Sequence, residues 1–245
     1  MEAGNPVLSA KAFERAQALG GERTMTVQGA INKTALLLVI LLAAAGWTWH
    51  VYQTNPAALG GYMMAGLLGG LVLALITIFA KRASAITAPL YAAAEGLVLG
   101  AISILINAQY HGIVSQAVGL TAGVLGLMLF AYKTRIIQAT PRFVVGVMAA
   151  TGAIALVYLV SIVLSFFGVQ VPYLHSSGPV GIGISVVIVI VAALNLIIDF
   201  GFIEQAAAAG APKYMEWYAA FGLMVTLVWL YLEILRLLAK LRSRD

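Results

Sequence analysis

Apolar residues in this chain of 245 residues gather into long runs that short polar segments separate. A helix of about 20 apolar residues is long enough to cross the hydrocarbon core of a bilayer, which is roughly 30 Å thick. The pattern therefore predicts an all-α membrane protein with seven transmembrane helices in a domain at 35–240. The seven apolar runs lie at 35–51, 59–80, 86–106, 114–132, 143–167, 180–202 and 215–238.

The composition excludes the main soluble classes of protein. Apolar residues make up 62% of the chain and charged residues 9%, whereas a soluble chain is roughly half apolar and about a quarter charged. Because there is no cysteine, disulfide scaffolds, thiol redox chemistry and thiolate metal sites are excluded as well. Neither H-E-x-x-H nor G-x-S-x-G occurs. We expect a protein that is not an enzyme and that carries no covalent cofactor.

The positions of the basic residues predict how the chain is oriented. The formal net charge is +5, but the cations flank the apolar runs, so the expected partner is the lipid bilayer and not nucleic acid. Lysine and arginine occur in the segment 1–34 and after the second, fourth and sixth runs, and the opposite loops contain neither. By the positive-inside rule, 1–34 is a cytoplasmic tail, with one amphipathic turn at 10–18.

The end of the chain leaves two topologies open. The last apolar run is followed by basic residues in a short tail at 241–245, and a seventh crossing places these cations outside. A re-entrant last segment would instead keep all 14 lysine and arginine residues inside. The length of the run favours seven crossings, because C-terminal charges weigh less than those of the early loops.

If Glu216 at the start of the last run is left aside, three acidic residues lie within the apolar runs, namely Glu95, Asp199 and Glu233. Each costs a few kcal/mol at the bilayer centre and is a functional candidate by default. At 1.5 Å per residue, Glu95 and Asp199 both lie about 16 Å from the basic loops, and Glu233 lies roughly 26 Å from a helix start near Glu216. We therefore expect Glu95 and Asp199 to meet near mid-depth, with Glu233 closer to the outer surface.

A close pair of carboxyl groups suits a pH sensor and a cation site. Two carboxyls in a low dielectric cannot comfortably both ionise, so Glu95 and Asp199 would share a proton. When both are deprotonated, they supply the oxygen ligands that Ca²⁺ prefers. Asn195 lies one helical turn before Asp199 on the same face and adds another polar group. Ca²⁺ and H⁺ are accordingly the ions expected to bind.

A structural interpretation of these acids stays open beside the functional one. Glu95 and Asp199 can be protonated and bonded to neighbouring backbone or hydroxyl groups, where they hold helices together. Glu233 can pair along its own helix with Arg236, which follows three residues later.

Three segments of the sequence resemble a known family. They are MTVQGAINKT at 25–34, PLYAAAEGLVLG at 89–100 and WLYLEILRLL at 229–238, and together they are similar to the bacterial branch of the Bax inhibitor-1/YccA family. The resemblance implies a seven-helix bundle in which the other six helices wrap the last one, located in the inner (plasma) membrane of a bacterium. It also implies a pH-sensitive calcium leak, gated by a carboxyl pair from helices six and seven, whose positions Asp199 and Glu233 match.

Two departures from the family keep the arrangement of the carboxyls open. The acid of the last helix is glutamate and not aspartate, and the separation between Asp199 and Glu233 exceeds the usual one. The alternative pairs Asp199 with Glu95 and Glu233 with Arg236. Function stays open too, between a gated Ca²⁺ leak and a regulator without conduction that binds a membrane protease complex through its cytoplasmic tail. A proton-coupled transporter is a weaker third hypothesis, because the sequence has no internal repeat or broken-helix pair.

Overall fold

The computed structural model describes residues 24–168 and 176–243. The expected amphipathic turn at 10–18, most of the N-terminal tail and the last two residues of the basic C-terminal tail lie outside the described residues. The described part contains seven long helices, which are α1 (Val27–Thr54), α2 (Leu59–Phe79), α3 (Ser84–Gln109), α4 (Ile113–Lys133), α5 (Pro141–Phe166), α6 (Pro179–Ala208) and α7 (Met215–Arg242).

Each helix coincides with one apolar run, and all seven are long and apolar enough to cross a membrane. The predicted fold class is therefore confirmed. The main difference is the start of α1, which lies at Val27 and not near residue 35. Thr26 caps this helix, since its hydroxyl accepts a hydrogen bond of 2.9 Å from the backbone N–H of Gly29. The cap lets the polar residues before the apolar run join the helix.

Successive helices run in opposite directions. We call the end of the bundle where α1, α3, α5 and α7 begin the proximal face, and the other end the distal face. The start of α3 contacts the start of α7 there, because the Ser84 hydroxyl donates to the Tyr214 carbonyl at 3.3 Å. At the distal face the end of α7 meets the start of α6, where the Lys240 ammonium donates to the Gly181 carbonyl at 3.1 Å. The last helix thus crosses the whole bundle and does not double back.

The last helix occupies the centre, as expected. Of its most apolar stretch 61% is buried, against 11% for α4 and for α5. It packs directly on α1, α3, α4 and α6. The expectation that all six other helices wrap it needs correction, because α2 packs on the outer side of α3, and α5 packs on α6 and reaches α7 through the side chain of Tyr158. The outer helices instead expose large apolar side chains such as Leu68, Leu127 and Leu159, which suit a lipid environment.

The α1–α3 pair is held by close backbone approach. A Cβ atom on Gly96 would lie 2.3 Å from the Leu41 carbonyl oxygen, and one on Gly100 would lie 2.8 Å from the Ala45 carbonyl oxygen. Small residues at such crossings let helices in a membrane make extensive van der Waals contact. Because α3 also packs on α7, this crossing fixes α1 beside the central helix.

We predict that Gly96→Ala destabilises the bundle by about 1–3 kcal/mol, because the added methyl group forces α1 and α3 apart. Gly119→Ala on α4 is the matched control, since a Cβ atom there has no neighbour within 4 Å. Equilibrium unfolding in detergent micelles measures both. Equal stability of the two variants would contradict the close crossing.

Candidate functional site

Asp199 lies in the interior of the bundle and is 0% exposed. It is placed there by α6, whose residues 196–198 and 202–203 are also buried around it. At 1.5 Å per residue, Asp199 is about 13 Å from the proximal end of α6 at Ala208. The interior of the bundle therefore contains a carboxyl group on α6, the helix that packs most extensively on the central helix α7.

Asn195 lies one turn further toward the distal face and is 3% exposed. Its side-chain nitrogen donates to the Thr151 hydroxyl of α5 at 2.8 Å and to the Val191 carbonyl of its own helix at 2.8 Å. Asn195 therefore joins α5 to α6 and adds a second buried polar group beside Asp199.

Glu95 faces a different part of the bundle. It is half-buried on α3 and accepts a hydrogen bond from the Tyr91 hydroxyl one turn earlier. Its Oε2 atom lies 3.5 Å from the place where a Cβ on Gly70 of α2 would be. The Tyr91 ring in turn packs against the Phe221 ring of α7, with centroids 4.9 Å apart.

The expected meeting of Glu95 and Asp199 is therefore not among the described contacts. The contacts of Glu95 lie on α2 and α3, and α7 stands between α3 and α6. Rise along a helix gives depth, but it does not give the position around the bundle axis. Among the described residues there is also no group of three or more His, Asp or Glu side chains that could hold a metal ion. The Ca²⁺ site expected at Asp199 and Glu95 therefore stays a prediction.

Glu233 is held in a polar cluster on the distal half of α7. Its carboxylate accepts hydrogen bonds from Arg236 at 3.0 and 3.1 Å, from the Tyr158 hydroxyl at 2.8 Å and from the Trp229 indole at 3.3 Å. Arg236 also donates to the Tyr158 hydroxyl. At 1.5 Å per residue, Glu233 is about 27 Å from the start of α7. It is therefore far in depth from Asp199, and the carboxyl pair implied by the resemblance is not formed.

Glu216 is a buried acid that the sequence reasoning set aside as the start of an apolar run. It is 0% exposed at the proximal end of α7. Its carboxylate accepts hydrogen bonds from the Thr26 backbone N–H at 2.9 Å, the Thr26 hydroxyl at 3.0 Å and the Lys213 ammonium at 2.7 Å, and it also binds Lys33. The sequence contains one indication of this site in the segment 25–34, where Thr26, Gly29 and Lys33 share one helical face.

Comparison with known protein families assigns the chain to one of them. The family described as Bax inhibitor 1 like matches residues 5–243, which is nearly the whole chain. The chain belongs to the Bax inhibitor 1 like family. No curated protein and no solved structure gives a significant match. This Bax inhibitor 1 like protein is an integral membrane protein of seven helices, and the three acidic residues Asp199, Glu216 and Glu233 of α6 and α7 are buried at different depths.

The Glu233 cluster gives a prediction about stability. Glu233→Gln removes the charge that compensates Arg236 and weakens the bond to Tyr158, so the free energy of unfolding should fall by about 1–3 kcal/mol. Glu204→Gln is the matched control, because Glu204 also binds an arginine and a tyrosine, Arg135 and Tyr132, but its side chain is 46% exposed. An exposed pair contributes less than about 1 kcal/mol. Unfolding in detergent compares the two, and an equal loss would contradict a structural role for the cluster.

Proposed function

We propose that this protein is a pH-sensitive leak channel for Ca²⁺, with Asp199 in its ion path. The observation that carries the proposal is the complete burial of Asp199 at mid-depth, beside the central helix. A carboxyl group in this position costs a few kcal/mol and by default marks an ion or proton path. Membership of the Bax inhibitor 1 like family supports the proposal, because the resemblance implies a calcium leak.

The charge state of Asp199 supplies both selectivity and pH sensitivity in this proposal. An ionised carboxylate attracts a cation and offers the hard oxygen ligands that Ca²⁺ prefers. A protonated carboxyl does neither, so the leak depends on pH. The other buried acids of α7 are less suited, since Glu216 is bound by lysines and Glu233 by Arg236. Asn195 completes the polar part of the path, and Glu95 lies outside it.

The described arrangement corresponds to a closed channel. Large side chains of α7 are fully buried on both sides of Asp199, with Tyr218 and Phe221 toward the proximal face and Leu230 and Leu235 toward the distal face. An ion that passes Asp199 therefore requires α7 to move against its neighbours. Protonation of Asp199 biases this movement, because it changes the charge at the α6–α7 seam.

The proposed orientation places the proximal face in the cytoplasm of a bacterium. Basic residues of α1, the α2–α3 turn, the α4–α5 connection and the α6–α7 connection share that face, as the positive-inside rule requires. They are Lys33, Lys81, Arg82, Lys133, Arg135, Arg142 and Lys213.

The function is tested by Ca²⁺ flux into liposomes that contain the purified protein, at about pH 6 and about pH 8, which bracket the neutral range. Wild type should conduct at rates that differ between the two pH values. Asp199→Asn should lose this difference, because the amide does not titrate. Glu95→Gln should retain it, because Glu95 faces α2 and not the seam.

Two results would contradict the proposal in different ways. If Glu95→Gln lost the pH dependence and Asp199→Asn kept it, the ion path would lie beside α2 and α3 and not beside α6. The absence of flux above that of empty liposomes, for wild type at both pH values, would exclude the channel altogether.

A regulatory function is the second candidate, and one observation favours it. The proximal face has an open cavity of about 410 Å³ between the α4–α5 connection and α6, lined by polar residues that include Tyr132, Arg135 and Glu204. Arg135 has a φ of 59°, a left-handed conformation that non-glycine residues rarely adopt and that clusters at binding sites. In this alternative the cavity binds a membrane protease complex. Co-purification of that protease with wild type and its loss with Arg135→Ala would support it.

A further inference from the structure

The segment that leads into α1 and the first two turns of α1 are held against the connection between α6 and α7. We call residues 24–33 the strap. The Met25 N–H donates to the Ala211 carbonyl at 2.6 Å, and Thr24 forms an isolated antiparallel bridge with Pro212. Met25 is 2% exposed and Ala211 is 1% exposed, so the contact is buried. The strap thus crosses the α6–α7 connection at the proximal end of α6, the helix that carries Asp199.

Glu216 holds the strap at its centre. It accepts hydrogen bonds from both the backbone and the hydroxyl of Thr26, and it binds Lys33 at the far end of the strap. Gly29 between them permits this contact, because a Cβ atom there would lie 2.1 Å from Glu216 Oε1. Lys213 binds the same carboxylate from the α6–α7 connection at 2.7 Å. One buried carboxylate therefore joins α1, α7 and the connection between α6 and α7.

Release of the strap would change the charge at the proximal mouth of the seam. In the closed arrangement, two lysine ammonium groups surround one carboxylate there, which disfavours a cation at the mouth. If α1 moves away, Lys33 leaves with it, and Glu216 is freed from one of its two cations. The same movement uncovers the α6–α7 seam beside the buried Tyr218. Opening and attraction of cations are thus coupled in one step.

We infer that the strap is the proximal gate of the ion path and that Glu216 is the positioning residue that keeps it closed. This inference rests on the proposed leak function. It assigns a role to the strap that is separate from the role of Asp199, because Asp199 lies deeper in the seam and makes none of the described strap contacts.

A reversible disulfide tests the gate directly. The chain has no cysteine, so Thr24→Cys combined with Pro212→Cys introduces a single pair of thiols. The bond from Met25 N–H to the Ala211 carbonyl makes Thr24 and Pro212 a non-hydrogen-bonded antiparallel pair. The Cα atoms of such pairs are about 4.5 Å apart, within the range that a disulfide spans. Oxidation should lock the strap without altering Glu216.

Ca²⁺ flux is then measured in the same liposomes before and after reduction with dithiothreitol. We expect flux at the level of empty liposomes in the oxidised protein and at the wild-type level after reduction. Equal flux in both states, with the disulfide verified by mass spectrometry, would overturn the gate and leave the channel standing. If neither the reduced form nor wild type conducted Ca²⁺, the leak function would be disproved, and the gate with it.

A second variant tests the link between Glu216 and the strap without a cross-link. Lys33→Gln removes the cation that ties the strap to Glu216 and leaves the carboxylate in place. We expect Ca²⁺ flux to rise about tenfold, which corresponds to a closed state that is less stable by roughly 1.4 kcal/mol. Glu95→Gln, which lies outside the proposed path, is the control and should leave the flux unchanged. Combining Lys33→Gln with the oxidised disulfide should abolish the rise. Unchanged or lower flux in a folded Lys33→Gln protein would contradict the inference.

Discussion

A charged side chain within a membrane must find its partner in the protein, because lipid offers none. In this bundle that requirement falls mainly on α7, which carries Glu216 near one end and Glu233, Arg236 and Lys240 near the other. Its central position satisfies the requirement, since α1, α5 and α6 each present a polar partner to it. The apolar surfaces of the outer helices face outward and need no such partner.

The two ends of α7 are held by different contacts, and this difference determines which end is easier to release. The distal end is held mainly by side chains of α5, α6 and α7, including Tyr158 and Ser185, within packed helices. The proximal end is held by the strap, which is joined to the rest of the bundle through Thr26, Lys33 and a short backbone bridge. The proximal end is therefore the simpler one to release, and Asp199 lies nearer to it than to the distal end.

Much of the fold is contained in the sequence, because apolar runs of membrane length specify the helices directly. The pairing of Glu233 with Arg236 also follows from spacing along one helix. The placement of Glu95 does not follow from the sequence. The rise per residue gives the depth of Glu95 in the membrane, but it does not give the side of α7 on which Glu95 lies. The environment of Glu216 does not follow from the sequence for a related reason. Lys213 is near in the chain, but Lys33 and Thr26 lie 183 and 190 residues away, and only tertiary packing brings them to Glu216.

The central claim is that Asp199 is the group through which pH and Ca²⁺ act on the bundle. Infrared difference spectroscopy of the protein in lipid measures this directly, since a protonated carboxyl has a carbonyl band that Asp199→Asn removes. The account predicts that this band weakens as the pH rises through the neutral range and that added Ca²⁺ weakens it further. A band that is insensitive to both, or one that is unchanged in Asp199→Asn, would contradict the account.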